Sequence, residues 1–254
     1  MATVIVFTNQ KGGVGKTTTS AALISGLLKR GERVLALDLD PQGNLGFSLG
    51  MDVEAENTMY DVFMGEIPLE EAIQTEGELG LIPSNILLSG TEVGMDGEHR
   101  EVLLKQALES VQDQYDYIVI DTPPALNILT LNAYAAAHHL IIPMASEILS
   151  LVGLVQLSET VDAIRETVNP ELNVLGILLT RYNKRTRLAQ DVSDMAETVA
   201  EQIGTEVFKT KIRTGVAVAE APAHGMSILD YAPRSNPAQD YEAFVEEVLN
   251  RIER

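Results

Sequence analysis

A stretch near the N-terminus, QKGGVGKTT at positions 10–18, contains the residue types that bind phosphate groups. Its glycines let backbone N–H groups come close to phosphate oxygens, because no side chain stands in the way. Lys16 can place positive charge on the outer phosphates, and the Thr17 hydroxyl can bind Mg²⁺. The spacing predicts a phosphate-binding loop made of these residues: Lys11, Gly12, Gly13, Val14, Gly15, Lys16, Thr17 and Thr18.

The start of this loop departs from the usual phosphate-loop pattern. That pattern places a glycine four residues ahead of the Gly-Lys pair, whereas Gln10 occupies the position here and a second lysine, Lys11, follows it. Positions 3–8 form an apolar run rich in β-branched residues, as in a buried parallel strand. Positions 17–30 have alanines and leucines at helical spacing and stop before Gly31. A strand, a loop and a helix in this order argue against a chance match.

Three aspartates follow two further apolar segments that we predict to be strands. Asp38 and Asp40 lie at or beyond the end of the strand at 33–39, and Asp121 ends the strand at 115–121. In a doubly wound sheet the carboxyl ends of parallel strands meet at one edge, where nucleotide sites form. A carboxylate there can hold Mg²⁺ through water. Asp40 begins a segment rich in turn-forming residues, so we expect it on a loop.

The alternation of strands and helices predicts an α/β fold, a doubly wound and mainly parallel sheet with helices on both faces. The length of 254 residues fits one domain over residues 1–254. The remaining predicted strands span 79–82, 140–142, 172–179 and 206–208. The remaining predicted helices span 58–65, 69–75, 100–112, 126–137, 148–168, 186–203 and 237–252.

Composition excludes several classes of protein. The absence of cysteine removes disulfide scaffolds, thiol catalysis and cysteine-ligated metal sites. The most apolar region, 139–157, is interrupted by polar residues and by proline, so we expect no membrane span. The N-terminus leads straight into a strand without a basic leader, which favours a cytoplasmic protein. The formal charge of -19 argues against a nucleic-acid partner, because phosphates would be repelled.

The basic residues are nevertheless concentrated in one region. Seven of the 18 fall between positions 181 and 213: Arg181, Lys184, Arg185, Arg187, Lys209, Lys211 and Arg213. One interpretation is a solvated face paired with acidic residues nearby, such as Asp191, Asp194 and Glu197. The other is a surface that follows nucleic-acid phosphates without reading bases.

Taken together, four ordered motifs resemble the ParA/Soj partition ATPases, a deviant-Walker group of P-loop NTPases that includes MinD and the nitrogenase iron protein. The motifs lie at 11–18 (KGGVGKTT), 38–44 (DLDPQGN), 117–124 (YIVIDTPP) and 219–222 (AEAP). The resemblance implies that ATP and Mg²⁺ are cofactors and that ATP drives homodimerisation. It also implies a ParB-like partner protein and nonspecific DNA binding by the dimer, with nucleoid association if that binding holds.

The resemblance further implies a role for individual residues. Lys11 would reach across the dimer to the partner's nucleotide, and Asp40 would position or activate the attacking water. Thr17 would bind Mg²⁺, with Asp38 and Asp121 steadying the water shell of the metal. The purine would lie near Arg213 and Gly215, where backbone groups contribute as well as side chains.

The predicted function is therefore an ATP-hydrolysing switch for plasmid or chromosome partitioning. The lack of cysteines sets aside the iron protein, and the acidic C-terminal helix disfavours a MinD-like membrane anchor. The family's DNA-binding arginine is replaced by Ala217, and we hypothesise that the basic residues at 181–213 substitute for it. Two alternatives remain open: an ATPase that positions a protein cargo, and an enzyme similar to dethiobiotin synthetase that phosphorylates a small acid and has no need of Lys11.

Overall fold

A computed structural model describes residues 1–91, 100–147 and 149–253. Its centre is a sheet of seven strands in the order β3-β4-β2-β5-β1-β6-β7. All neighbouring strands are parallel except β3 and β4, which pair antiparallel. The strands are β1 (Thr3–Phe7), β2 (Val34–Asp38), β3 (Gln74–Glu76), β4 (Leu79–Ile82), β5 (Tyr117–Asp121), β6 (His139–Ala145) and β7 (Asn173–Thr180).

Helices cover both faces of this sheet. Within the described ranges the α-helices are α1 (Lys16–Leu28), α2 (Asn44–Leu49), α3 (Met59–Phe63), α4 (Leu103–Leu108), α5 (Ile128–Ala136), α6 (Leu149–Thr167), α7 (Arg187–Gln202), α8 (Val216–Glu220), α9 (Ile228–Tyr231) and α10 (Asn236–Ile252). Short 3₁₀ helices lie at Leu69–Ala72, Ile86–Gly90, Arg100–Val102 and Ala221–His224. Over residues 1–91, 100–147 and 149–253, we find no helix with the length and hydropathy of a membrane span.

The strands are buried on both faces because their side chains alternate between two cores. In β1, Val4 and Val6 belong to one hydrophobic cluster, and Ile5 and Phe7 belong to the other. Such alternation follows from the two-residue repeat of a strand, and two covered faces explain why the strands read as continuous apolar runs. The predicted doubly wound, mainly parallel α/β fold is confirmed.

The register of the central strands brings the predicted site together. Phe7 of β1 and Asp38 of β2 both pair with Asp121 of β5 at the carboxyl edge of the sheet. The loops that follow these three strands therefore start side by side, as expected for parallel strands with adjacent carboxyl ends.

Several predicted elements differ from the structure. The strand predicted at 206–208 is a single bridge between Val207 and Ile177. The pairing ends there because the N–H groups of Lys209 and Thr210 donate to the Glu247 carboxylate instead of to a strand. The helix predicted at 69–75 is a 3₁₀ helix that ends at Ala72, and β3 follows it because Gly77 closes a tight hairpin to β4. The start of the helix predicted at 148–168 lies outside the described residues.

Two helices differ in extent. The helix predicted at 100–112 is shorter: it consists of a 3₁₀ turn and α4, which ends at Leu108. Helix α2 was not predicted, because the turn-forming residues before it suggested a loop. It begins after Gly43, whose φ of 67° is in the left-handed region, and it ends at Gly50, whose φ is 73°.

We predict that Gly26→Ala will destabilise the protein, because Gly26 lets α1 pack closely on α10. A Cβ at this position would lie 2.7 Å from Val245 Cγ2 and 3.3 Å from Val245 Cβ, so rotation of the valine cannot relieve the contact. The overpacking outweighs the better helix propensity of alanine, and the free energy of unfolding should fall by about 1 to 2 kcal/mol. Chemical denaturation measures it.

Two variants serve as controls for this prediction. Gly153→Ala in α6 meets no atom within 4 Å, so it should leave stability unchanged or raise it by up to about 1 kcal/mol. Adding Val245→Ala to Gly26→Ala should recover part of the free energy of unfolding that Gly26→Ala loses. If Gly26→Ala is as stable as Gly153→Ala, the close contact of the two helices does not limit stability.

Candidate phosphate-binding site

The loop between β1 and α1 is held in shape by the strands beside it. Thr180, at the end of β7, donates from Oγ1 to the Val14 carbonyl at 2.7 Å. Asn9 accepts from the Lys11 N–H at 2.9 Å and donates to the Pro143 carbonyl at 2.8 Å. The φ angles of Gly13 (71°) and Gly15 (91°) are in the left-handed region that favours glycine. The loop therefore has a fixed concave shape ahead of the N-terminus of α1.

Lys16, the first residue of α1, turns back over this loop. It is only 6% exposed, and its Nζ lies 3.4 Å from the Lys11 carbonyl oxygen. Burial lowers the pKa of Lys16, while the carboxylates of Asp121 and Asp40 act in the opposite direction. These two carboxylates favour the charged ammonium, which stands over the concave face where phosphate would bind.

Asp121 links β5 to the first turns of α1. Its Oδ2 accepts from Thr17 Oγ1 at 2.5 Å, and its Oδ1 accepts from Ser20 Oγ at 3.3 Å. Complete burial raises the pKa of Asp121 to about 7, against the opposing influence of Thr17 and Lys16. A hydroxyl and a carboxylate in contact are the oxygen ligands that Mg²⁺ prefers, so these groups fit a magnesium ion at this edge of the sheet.

Asp38 is also fully buried, and it shapes the loop after β2. Its Oδ1 accepts from the Asp40 N–H at 3.0 Å, and its Oδ2 accepts from the Leu45 N–H at 2.9 Å. Burial raises the pKa of Asp38 well above its ordinary value, and neighbouring Asp121 raises it further. Each Asp38 carboxylate oxygen thus accepts a backbone N–H, which fixes the turn that carries Asp40.

Asp40 is half-buried on this turn. Its Oδ1 accepts from the Gln42 N–H at 3.1 Å, and its carbonyl accepts from Ser84 Oγ and from the Gly43 N–H. A pocket of about 420 Å³ is lined by Asp40 together with Gly12, Gly13, Gly15, Lys16, Thr17, Thr18, Asn44, Phe47, Ser48, Pro124, Arg181 and Pro222. Ser84 carried no recognisable signal in the sequence, because it follows an ordinary buried strand.

Lys11 lies on the exposed side of the loop. Its Nζ is 2.6 Å from Glu147 Oε2, and the two side chains are 35% and 52% exposed. Lys11 lowers the pKa of Glu147, and Arg181 contributes to the same shift. Glu147 carried no signal in the sequence, because it lies 136 positions from Lys11 and comes near it only through the pairing of β6 with β1.

The predicted purine-binding segment borders a second pocket. This pocket, of about 420 Å³, is lined by Val14, Gly15, Thr18, Thr180, Arg181, Ile212, Arg213, Thr214, Gly215, Val218, Ala219 and Tyr241. Arg213 donates from Nε and Nη2 to Asp240 at 2.8 and 2.6 Å, and Asp240 raises the pKa of Arg213. A Cβ on Gly215 would lie 2.6 Å from Pro237 Cγ, so a side chain there would push the segment away from α10.

The structure separates the seven basic residues predicted to bind DNA. Arg181 lies beside the phosphate-binding loop and Arg213 is bound to Asp240, as described above. Lys211 donates to Ser193 Oγ at 2.6 Å and lies over the Tyr182 ring. Lys209 is exposed near α10.

The other three, Lys184, Arg185 and Arg187, are exposed around the start of α7. Within the described residues we find no ion pair between these three and the acidic residues of α7. Ala217 lies on α8 and packs against the core.

A glycine-rich loop between a central parallel strand and a helix, with two buried aspartates on neighbouring strands, defines a P-loop NTPase of the deviant Walker A type. The family model described as an AAA domain matches residues 2–174. The sporulation initiation inhibitor protein Soj of Bacillus subtilis is 42% identical to the chain over 252 residues, covering 98% of each. The chromosome-partitioning ATPase Soj of Treponema pallidum is 40% identical, covering 99% of this chain and 98% of that protein.

A solved structure shares this fold. Cobyrinic acid a,c-diamide synthase from Mycobacterium smegmatis, crystallised with an ATP analogue and magnesium, matches with a TM-score of 0.86 and 34% identity. The match covers 100% of this chain and 96% of that one. The chain belongs to the ParA/Soj family of partitioning ATPases, and the predicted resemblance is confirmed.

We predict that Thr180→Val will loosen the phosphate-binding loop. Valine keeps the shape of threonine but leaves the buried Val14 carbonyl without the Thr180 hydroxyl. The free energy of unfolding should fall by about 1 to 2 kcal/mol, and the affinity for ADP should fall with it. Denaturation and calorimetric titration measure the two effects.

Thr205→Val is the matched control for this variant. Thr205 donates to the Val174 carbonyl of the same strand, β7, at 2.6 Å, at the end remote from the loop. It should cost stability without changing the affinity for ADP. An equal loss of ADP affinity in both variants would mean that the effect comes from the sheet as a whole.

Proposed function

We propose that this chain, as a single domain over residues 1–254, is a Mg²⁺-dependent ATPase that dimerises with ATP and hydrolyses it to ADP and phosphate to partition DNA. The observation that carries the proposal is a loop with two lysines, different in burial and in contacts, beside the Asp40 carboxylate. Lys16 is buried and fixed over the loop, whereas the Lys11 side chain is 35% exposed and forms an ion pair with Glu147. Membership of the ParA/Soj family supports this function.

The residues of the first pocket have the chemistry that binding of ATP and Mg²⁺ requires. The backbone N–H groups of the loop and the Lys16 ammonium would hold the phosphates. Thr17 and Asp121 would hold the ion, directly or through water, with Asp38 behind them. When bound, Mg²⁺ supplies positive charge that offsets the charge on the phosphates.

Asp40 is the residue of this pocket best suited to direct the attacking water. A carboxylate can accept a hydrogen bond from that water and fix its approach to the terminal phosphate. The backbone of Asp40 is held on one side by Asp38 and on the other by Ser84. Such fixation matters, because most of the acceleration of phosphoryl transfer comes from positioning and charge.

Lys11 would supply charge to the nucleotide of the partner subunit. Its ion pair with Glu147 is largely exposed, and exposed pairs contribute little free energy. In the dimer the ammonium would exchange Glu147 for a phosphate of the partner. Charge compensation at the phosphates then depends on dimerisation, so the nucleotide state controls assembly.

DNA binding by the dimer would rest on Lys184, Arg185 and Arg187, which are exposed and lie within four positions of one another. In a dimer two copies of this turn would be present, and phosphate contacts alone give binding without sequence specificity. The net charge of -19 on the whole chain also suits a ParB-like partner with a basic segment.

We predict that Lys11→Ala and Asp40→Ala will have opposite effects on assembly. Lys11→Ala should bind ATP but remain monomeric and turn over slowly, because the charge supplied between subunits is lost. Asp40→Ala should form a persistent ATP dimer, because assembly is intact but the water is not directed. Size-exclusion chromatography with light scattering, with ATP and with ADP, measures assembly, and phosphate release measures turnover.

Two controls complete this experiment. Lys16→Ala should lose nucleotide binding itself, and Glu147→Gln should dimerise with ATP, since Lys11 is retained. Normal dimerisation and turnover by Lys11→Ala would contradict the role of this lysine. Turnover by the wild type with no change of oligomeric state would instead favour a metabolic ATP-using enzyme.

We predict that replacing Lys184, Arg185 and Arg187 together by alanine will weaken DNA binding by the ATP dimer. Each lost phosphate contact should reduce the salt dependence of log K by about 0.9. Gel retardation over a range of salt concentrations measures this effect. Lys105→Ala on α4, an exposed lysine outside this turn, is the control. If the wild-type dimer shifts no DNA at any salt concentration, the DNA-binding part of the proposal fails.

A further inference from the structure

Arg181, which directly follows β7, has an unusual backbone conformation. Its φ is 50°, and within residues 1–91, 100–147 and 149–253 it is the only residue other than glycine with a positive φ. A long side chain in the left-handed region is strained, and such strain persists only where the surroundings impose it. Residues of this kind concentrate at ligand sites.

The residues on both sides of Arg181 impose this conformation. Thr180 is fixed by its hydroxyl on the Val14 carbonyl, and its own carbonyl accepts from the N–H and the Oγ of Ser146, both at 3.1 Å. Tyr182 donates its N–H to the Ile212 carbonyl at 2.8 Å. Hydrogen bonds thus fix the residue before Arg181 to the phosphate-binding loop. They fix the residue after Arg181 to the chain just ahead of the predicted purine-binding segment.

The guanidinium group of Arg181 lies over the phosphate-binding loop. Its Nη2 is 3.7 Å from the point where a Cβ of Gly13 would be. Arg181 lines both pockets of the site, the one that contains Lys16 and Asp40 and the one bordered by Arg213 and Gly215. Of the residues that line both pockets, Arg181 is the charged one, so its positive charge lies where the two pockets meet.

We propose that Arg181 binds the phosphates of the nucleotide held in its own chain, on the side nearer the sugar. This inference rests on the proposed function, and it assigns to nucleotide binding a residue that the sequence pattern grouped with the DNA surface. A nucleotide with its base in one pocket and its terminal phosphate in the other must cross their junction. An arginine there can donate two parallel hydrogen bonds to phosphate oxygens.

The test variant is Arg181→Asn, because asparagine tolerates a positive φ and removes the guanidinium group without adding backbone strain. The affinities for ADP and for a non-hydrolysable ATP analogue should both fall at least about tenfold, since the phosphates near the sugar are common to both ligands. Isothermal titration calorimetry measures them. Lys105→Asn on α4, an exposed lysine that lines neither pocket of the site, should leave both affinities unchanged.

A second readout separates nucleotide binding from DNA binding. At saturating ATP analogue, the Arg181→Asn dimer should shift DNA as the wild type does. Unchanged nucleotide affinity would overturn the inference, and unchanged nucleotide affinity with weaker DNA binding would return Arg181 to the DNA surface. A wild-type protein that binds neither nucleotide would refute the proposed function itself, a result distinct from both of these.

Folding of the variant is checked by thermal unfolding without nucleotide. Arg181→Asn should melt at the wild-type temperature, because it keeps the backbone conformation. If it melts lower, Arg181→Gly takes its place, since glycine adopts the same φ without strain. Arg181→Lys should recover part of the nucleotide affinity, because it restores the charge but not the paired hydrogen bonds. Wild-type affinity in a folded Arg181→Gly variant would likewise overturn the inference.

Discussion

The burial of the Asp121 carboxylate at the carboxyl edge of the sheet is the constraint on which the site depends. A carboxylate without water needs donors, and an unsatisfied one would cost several kcal/mol. Thr17 and Ser20 of α1 supply hydroxyl groups to it. Since both lie in the first turns of α1, this requirement fixes the position of the helix and therefore of the loop that precedes it. The same contact that satisfies Asp121 places the Thr17 hydroxyl where, under the proposed function, it would bind Mg²⁺.

A second buried carboxylate, Asp38, pairs with Asp121 in the register of β2 and β5. Burial raises the pKa of Asp38, and Asp121 raises it further, because two like charges in a dry environment repel. Lys16 offsets part of this repulsion from above. The site thus has negative charge at its base and positive charge over the loop, an arrangement suited to a divalent cation below and phosphate above. A cation that accompanies the phosphate would offset the charge of these two acids.

Much of this arrangement could be predicted from the sequence, because it depends on local patterns. The apolar runs that end in Asp38 and Asp121 are continuous, and parallel strands must end at a common edge. The contacts that could not be predicted join residues distant in the chain. Ser84 reaches Asp40 through the pairing of β4 with β2, and Glu147 reaches Lys11 only after β6 is placed beside β1. Helix α2 was missed because the glycine at its start also suits a turn.

The location of Arg181 shows a further limit of sequence patterns. Arg181 lies close in sequence to Lys184 and Arg185, yet it contacts a different part of the molecule. Tyr182 is drawn toward Ile212 while Arg181 turns toward the loop. A positive φ is not encoded by composition; it arises because Thr180 and Tyr182 are each fixed to a different segment. Net charge is equally uninformative about the site. Although the net charge of the chain is -19, individual basic side chains lie at the phosphate-binding loop, because the backbone conformation determines their positions.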